Sequence, residues 1–133
     1  MREGLREINQ RVEERYSQFG YSPETLDRKG GKSEVYYEVL TSQYDFTNKK
    51  VLDIGCGFGE LNLYITNRVG EGAYTYKGID VSESVLDEAK KHFSGTSISF
   101  VHGEFLDYPF TEEFDYGILA GALNYPVKGD NYE

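Results

Sequence analysis

A doubly wound α/β fold around a parallel sheet is what this sequence predicts, on three observations. The apolar run Val51-Leu52-Asp53-Ile54 passes straight into Gly55, Gly57 and Gly59, and glycines at that density let a chain turn sharply from strand into helix and approach a ligand closely. Two more β-favouring runs follow, Tyr74–Asp80 and Ile98–Val101. Between them, apolar residues recur at helical intervals, so strand and helix alternate as a parallel sheet requires.

The elements follow in order. Leu5, Ile8, Val12, Tyr16 and Phe19 recur among Arg and Glu, which predicts an amphipathic helix over residues 3–19. Gly20, Pro23 and Gly30-Gly31 break the chain into a loop. A second helix is expected over 33–43, with Val35, Val39 and Leu40 facing inward and Tyr36, Tyr37 and Tyr44 partly exposed. After the glycines, Leu61, Ile65 and Val69 mark a helix whose N-terminus lies over whatever the turn holds. The Tyr74–Asp80 strand leads to Ser82-Glu83-Ser84, a capping hydroxyl and acidic first turn. Val85, Leu86, Ala89 and Phe93 form that helix's buried stripe, Lys90, Lys91 and His92 suit its C-terminus, and Gly95 ends it. A third strand at Ile98–Val101 precedes Gly103–Phe110, and Phe114–Leu123 supplies a fourth strand and the loop beyond it.

The chemistry concentrates at the glycine turn. A dinucleotide fingerprint places its third glycine three positions after the second, with pyrophosphate on the helix dipole. Here Gly59 follows Gly57 by two positions, and Asp53 precedes the turn. That carboxylate would repel pyrophosphate and suit a ligand carrying positive charge. Asp80, at the end of the second strand, is placed to accept both hydroxyls of a ribose. Cys56 has no nearby His or Lys to activate a thiolate, so a small structural role is expected. His92 and His102 are the only histidines, without a second ligand at metal spacing, and no metal site is expected. Neither a Gly-x-Ser-x-Gly elbow nor a P-loop lysine occurs, which removes the hydrolase and kinase readings.

The turn resembles motif I of the class I S-adenosylmethionine-dependent methyltransferases, acidic-x-Gly-x-Gly-x-Gly, and the resemblance runs over residues 50–124. It implies a Rossmann-like sheet of seven strands ordered 3-2-1-4-5-7-6, of which this chain supplies the 3-2-1-4 portion. It also implies S-adenosylmethionine as cofactor, with Asp53, Gly55, Cys56, Gly57 and Gly59 at the methionine end. Asp80 and Val81 would then lie at the ribose, Glu104 at the adenine amino group, Phe105 against the ring, and Ala120 beyond strand 4. Residues 1–46 would form a helical lid or cap, with Lys32, Tyr36 and Tyr37 as lid contacts, 47–124 the cofactor-binding core, and 125–133 a polar tail. The triplet Asn124-Tyr125-Pro126 is similar to the Asn-Pro-Pro-Tyr signature of amino-group methyltransferases, but its order and position differ and it is set aside.

The implied function is methyl transfer to an unidentified, small-molecule acceptor, with no catalytic residue assigned. The alternative is a catalytically silent cofactor-binding module acting through a partner or a homodimer. With four of seven strands, the chain is expected to be truncated or to dimerise through an exposed strand-4 edge, its sheet faces short of covering helices. With 14 basic against 23 acidic residues the net charge is −9 and no basic block occurs, which argues against nucleic-acid binding by this chain. No apolar run approaches the roughly 18 residues of a membrane span. The single cysteine and the charged N-terminus favour a cytoplasmic setting.

Overall fold

The computed structural model describes residues 3–22 and 32–119. Helices α1 (Glu3–Phe19) and α2 (Lys32–Gln43) precede an alternating β1 (Lys50–Ile54), α3 (Leu61–Val69), β2 (Thr75–Asp80), α4 (Glu83–His92), β3 (Ile98–His102), a 3-10 turn (Phe105–Asp107) and β4 (Tyr116–Ile118). The four strands form one parallel sheet in the order β3-β2-β1-β4, as the sequence predicts.

Handedness explains how the faces are covered. The steps β1 to β2 and β2 to β3 run in one direction, so right-handed crossovers put α3 and α4 on the same face. On that face Val51, Tyr76 and Ile118 pack with Leu61 and Ile65 of α3 and with Tyr37 of α2. The step from β3 to β4 reverses across β1, which sends the connecting segment 103–115 over the opposite face. No α-helix of the described residues covers that second face. An aromatic run does: Tyr108, Phe110 and Phe114 contact one another in sequence, tilted and then edge-to-face, with centroids 4.6 and 5.8 Å apart. Tyr108 reaches the Gly103–Ile79 corner, Lys50 lies over the Phe114 ring, and Lys50 and Lys77 both pair with Glu112. Leu52 and Ile79 are buried on this side without a helix above them.

Two local expectations are corrected. In α2 it is Tyr37, only 3% exposed, that enters the core with Thr41 and Leu40, while Val35 is 65% exposed and Val39 also faces out. Residues two apart on a helix differ by about 200°, so seating the larger Tyr37 ring against Tyr64 turns both valines outward. Helix α4 stops at His92, before Gly95, because Phe93 is already extended (φ −131). Its ring lies instead beside the Gly59 α-carbon. The fourth strand is the short Tyr116–Ile118, and the expected loop beyond 119 lies outside the described residues.

Candidate functional site at the carboxyl edge of the sheet

In an open parallel sheet, ligands bind outside the carboxyl ends of the strands where the strand order reverses. Here the reversal falls between β1 and β4. The glycine turn leaves β1 at that point, and Asp80, Val81, Gly103 and Glu104 leave β2 and β3 along the same edge.

The turn is held from beneath by β2. The N–H groups of Gly55 and Cys56 both donate to the Ile79 carbonyl, at 2.9 and 3.1 Å. The Gly57 N–H donates to Asp80 Oδ2 at 2.9 Å, and Asp80 Oδ1 accepts the Ser82 N–H at 3.0 Å. Gly59 N–H closes back on the Cys56 carbonyl. All three glycines have positive φ, at 70°, 58° and 77°, which side chains rarely adopt. At Gly59 a Cβ would also stand 2.8 Å from the Phe100 ring. These four amides are engaged by the protein itself, so they do not form a converging nest of free N–H groups that grips phosphate.

Asp53 lies inside the sheet, 1% exposed, and its Oδ2 accepts a hydrogen bond from the Tyr76 hydroxyl at 2.6 Å. Burial, with the Asp53 charge beside it, holds the Tyr76 phenol well above its usual range, so it stays a donor. Cys56 is buried with its Sγ over Gly78, where an added Cβ would sit 2.7 Å away. Glu104 is 8% exposed at the start of the 3-10 turn, while Phe105 is 37% exposed with its ring 6.2 Å from that of Phe110. Val81 is partly buried, and its carbonyl accepts the His102 Nε2–H at 3.0 Å, tying the ends of β2 and β3 together. Ala120 and the side chain of Lys32 lie outside the described residues. Tyr36 is exposed and remains available to a lid. Tyr37 is not, because its ring is built into the core.

Sequence reasoning missed several contributors. Asn62, fully buried, donates through Nδ2 to the Gly59 carbonyl and accepts the Tyr74 hydroxyl. Glu13 of α1 receives the Ser82 and Ser84 hydroxyls, both at 2.7 Å, at the start of α4. Phe58 of the turn is buried under Val12 and Tyr16 of α1, and Tyr21 meets it edge-on at 4.8 Å. Only Gly78 carried a readable signal: a glycine inside a strand marks close approach of another chain segment. Among the described residues no group of three or more His, Cys, Asp or Glu could hold a metal ion.

Comparison with known proteins adds independent findings. The Methyltransferase domain family matches residues 51–133. Over 77 residues the chain is 30% identical to a probable phthiotriol/phenolphthiotriol dimycocerosates methyltransferase 2 of Mycobacterium ulcerans, covering 58% of this chain and 29% of that one. It is 38% identical over 77 residues to the 2-phytyl-1,4-naphtoquinone methyltransferase of Nostoc punctiforme, covering 54% of this chain and 33% of that one. The chain therefore spans about a third or less of the length of these curated relatives. A solved Thiobacillus denitrificans methyltransferase, complexed with S-adenosyl-L-homocysteine, superposes with a TM-score of 0.51 at 24% identity, covering 61% of this chain and 34% of that one. At that identity the likeness shows a shared fold.

Proposed function

This chain belongs to the Methyltransferase domain family, and from that premise we propose that it is the cofactor-binding portion of an S-adenosylmethionine-dependent methyltransferase acting on a small-molecule acceptor. The observation that carries the reading is the state of the glycine turn. Its Gly55, Cys56 and Gly57 amides serve the Ile79 carbonyl and the Asp80 carboxylate, which leaves a pyrophosphate no nest. Asp53, Asp80 and Glu104 meanwhile put three carboxylates at or beneath the same edge. That donor set fits a cationic adenosyl compound and repels a phosphorylated one.

When bound, the cofactor supplies a methyl group already activated on its sulfonium. The protein's share is to orient it and exclude water. The Gly55–Gly59 backbone, with Cys56 packed below, lets the methionine end approach closely. Asp80 and Val81 face the ribose, Glu104 the adenine amino group, and Phe105 one side of the ring, with Ala120 following β4. Tyr36 and α1 belong to the cap over this edge. The relatives named above act on lipid and quinone substrates by their names, which supports a small organic acceptor.

A cytoplasmic setting belongs to the same proposal, supported by a lone, buried cysteine. Among the described residues no helix is long and apolar enough to cross a membrane. A homodimer through the β4 edge is likewise proposed, since β4 pairs only with β1 among the described residues; a monomer in sedimentation at high concentration removes it.

Calorimetry with S-adenosylmethionine, S-adenosylhomocysteine and NAD tests the main reading. Binding of the first two and not the third is expected. Asp80→Asn keeps an oxygen for the Gly57 amide but removes the charge, and should weaken cofactor binding by about 1.5–3 kcal/mol. Binding of NAD alone overturns the assignment, and cofactor binding without turnover on any acceptor reassigns the chain as a binding module.

A further inference from the structure

We propose that Asn62 is a positioning residue of this site: its buried side-chain amide holds the Gly59 carbonyl, and so fixes the last peptide of the glycine turn before a ligand arrives. The inference rests on the reading of the turn as the seat of an adenosyl compound.

The geometry is specific. Asn62 lies in the first turn of α3 and is fully buried, with Leu61 and Ile65 the other buried residues of that helix. Its Nδ2 donates to the Gly59 carbonyl at 2.9 Å, and its Oδ1 accepts the Tyr74 hydroxyl at 2.5 Å. A carbonyl only accepts, so the amide can face Gly59 in one orientation alone. Burial, then the Glu71 charge, holds the Tyr74 phenol above its ordinary value, and its hydroxyl stays a donor to Oδ1. Both ends of the amide are therefore engaged.

The arrangement is not a helix cap. A capping side chain accepts from backbone N–H groups, whereas Asn62 donates to a carbonyl that its own backbone N–H already engages at 3.1 Å. The N-cap residue of α3, Glu60, makes no side-chain cap. What the second hydrogen bond adds is restraint on the Gly59–Glu60 peptide. Gly59 is held elsewhere as well. Its N–H closes on the Cys56 carbonyl, its φ is 77°, and a Cβ there would stand 2.8 Å from the Phe100 ring of β3. With N–H, α-carbon and carbonyl each fixed, Gly59 has little freedom left. A turn shaped in advance loses less entropy when a ligand settles on it.

Calorimetry with S-adenosylmethionine and S-adenosylhomocysteine, beside thermal melting, tests this on the wild type, Tyr74→Phe and the double variant Asn62→Leu/Tyr74→Phe. The double variant removes both polar side-chain partners and keeps their bulk, so it orphans no buried group and its stability should change little. Its affinity for both compounds should nevertheless fall about tenfold, through a less favourable binding entropy. Tyr74→Phe alone orphans Oδ1 and should lower the melting temperature, yet it keeps the Nδ2 tie to Gly59 and should leave both affinities within about twofold of wild type. Undiminished affinity in the folded double variant overturns the proposal, because a purely structural amide would act on melting alone. If that variant does not fold, hydrogen exchange on the wild type decides. Gly57 and Gly59 amides already protected without ligand, and little changed by S-adenosylhomocysteine, support it; amides that gain protection only on binding overturn it. Wild-type protein that binds neither compound refutes the underlying reading, an outcome told apart because it precedes any substitution.

Discussion

Helices α1 and α2 both precede the sheet, and different chemistry fastens each of them. Helix α2 is fixed by apolar packing: Tyr37 lies in the main core with Phe46, Val51, Leu61, Ile65 and Tyr76, and Leu40 packs against it. Its polar ties include a Thr41 hydroxyl returned to the Tyr37 carbonyl and an exposed Arg68–Glu38 pair at 3.4 Å. Among the described side chains, helix α1 is fastened largely by polar ones. Glu13 bridges Ser82 and Ser84, and Tyr16 donates to Glu88 at 2.8 Å. Among its described side chains the apolar contact is a cluster of Val12, Tyr16, Phe58 and Val85. The two helices therefore have different consequences. Disturbing α2 should act on the stability of the whole domain. Disturbing α1 should act on the site edge, because Phe58 belongs to the glycine turn and Ser82 follows Asp80 and Val81 directly.

The sharpest break in that contrast is Tyr37→Ala. Losing a fully packed aromatic should cost about 3–5 kcal/mol in urea unfolding, with cofactor affinity of the folded fraction unchanged. Phe58→Leu keeps bulk but gives up ring contacts with Tyr16 and Tyr21. It should cost about 1–2 kcal/mol and raise amide exchange in α1 while α2 stays protected. Equal deprotection of both helices would erase the distinction.

Smaller effects sharpen it. In Glu13→Gln the amide nitrogen cannot accept from a serine hydroxyl, so about 1 kcal/mol should be lost, visible as faster exchange in α1 and in the first turn of α4. The Glu88 carboxyl is held below its usual value chiefly by the Tyr16 hydroxyl, then by His92. A lowered folded-state pKa means that this tie is fully present above pH 4.5, the ordinary glutamate value, and is lost as pH falls through the lowered one. Limited proteolysis near residue 20 should accelerate in that acidic window, and Glu88→Gln should abolish the pH dependence. The smallest effect belongs to Val39→Ser, expected within about 0.5 kcal/mol of wild type because the side chain faces out; a loss of 2 kcal/mol or more would return Val39 to the core and undo the assignment of faces.

Some of this was legible from local pattern. The glycine turn, the order of strands and helices and the Ser82 cap are all written within windows of a few residues, where propensity and spacing act directly. The facing of α2 was not, because Val35, Tyr37 and Val39 are all plausible core residues and only the volume beside Tyr64 chooses among them. Asp53 was legible as a carboxylate at the turn, but its burial under Tyr76 was not, since the two residues lie 23 apart and meet only through strand register. The aromatic run 108–114 reads as an ordinary loop until the reversal between β3 and β4 lays it on the helix-free face.

By itself, then, the sequence determined the parallel α/β plan and the carboxylates and glycines gathered at one edge, because backbone turning, capping and alternation are short-range properties. Tertiary structure alone decided which side chains close the core, what covers the second face, and that Tyr76 and Glu13 stand behind the site. Those choices depend on pairs 23 and 69 residues apart, and only a packed sheet brings such pairs within hydrogen-bonding distance.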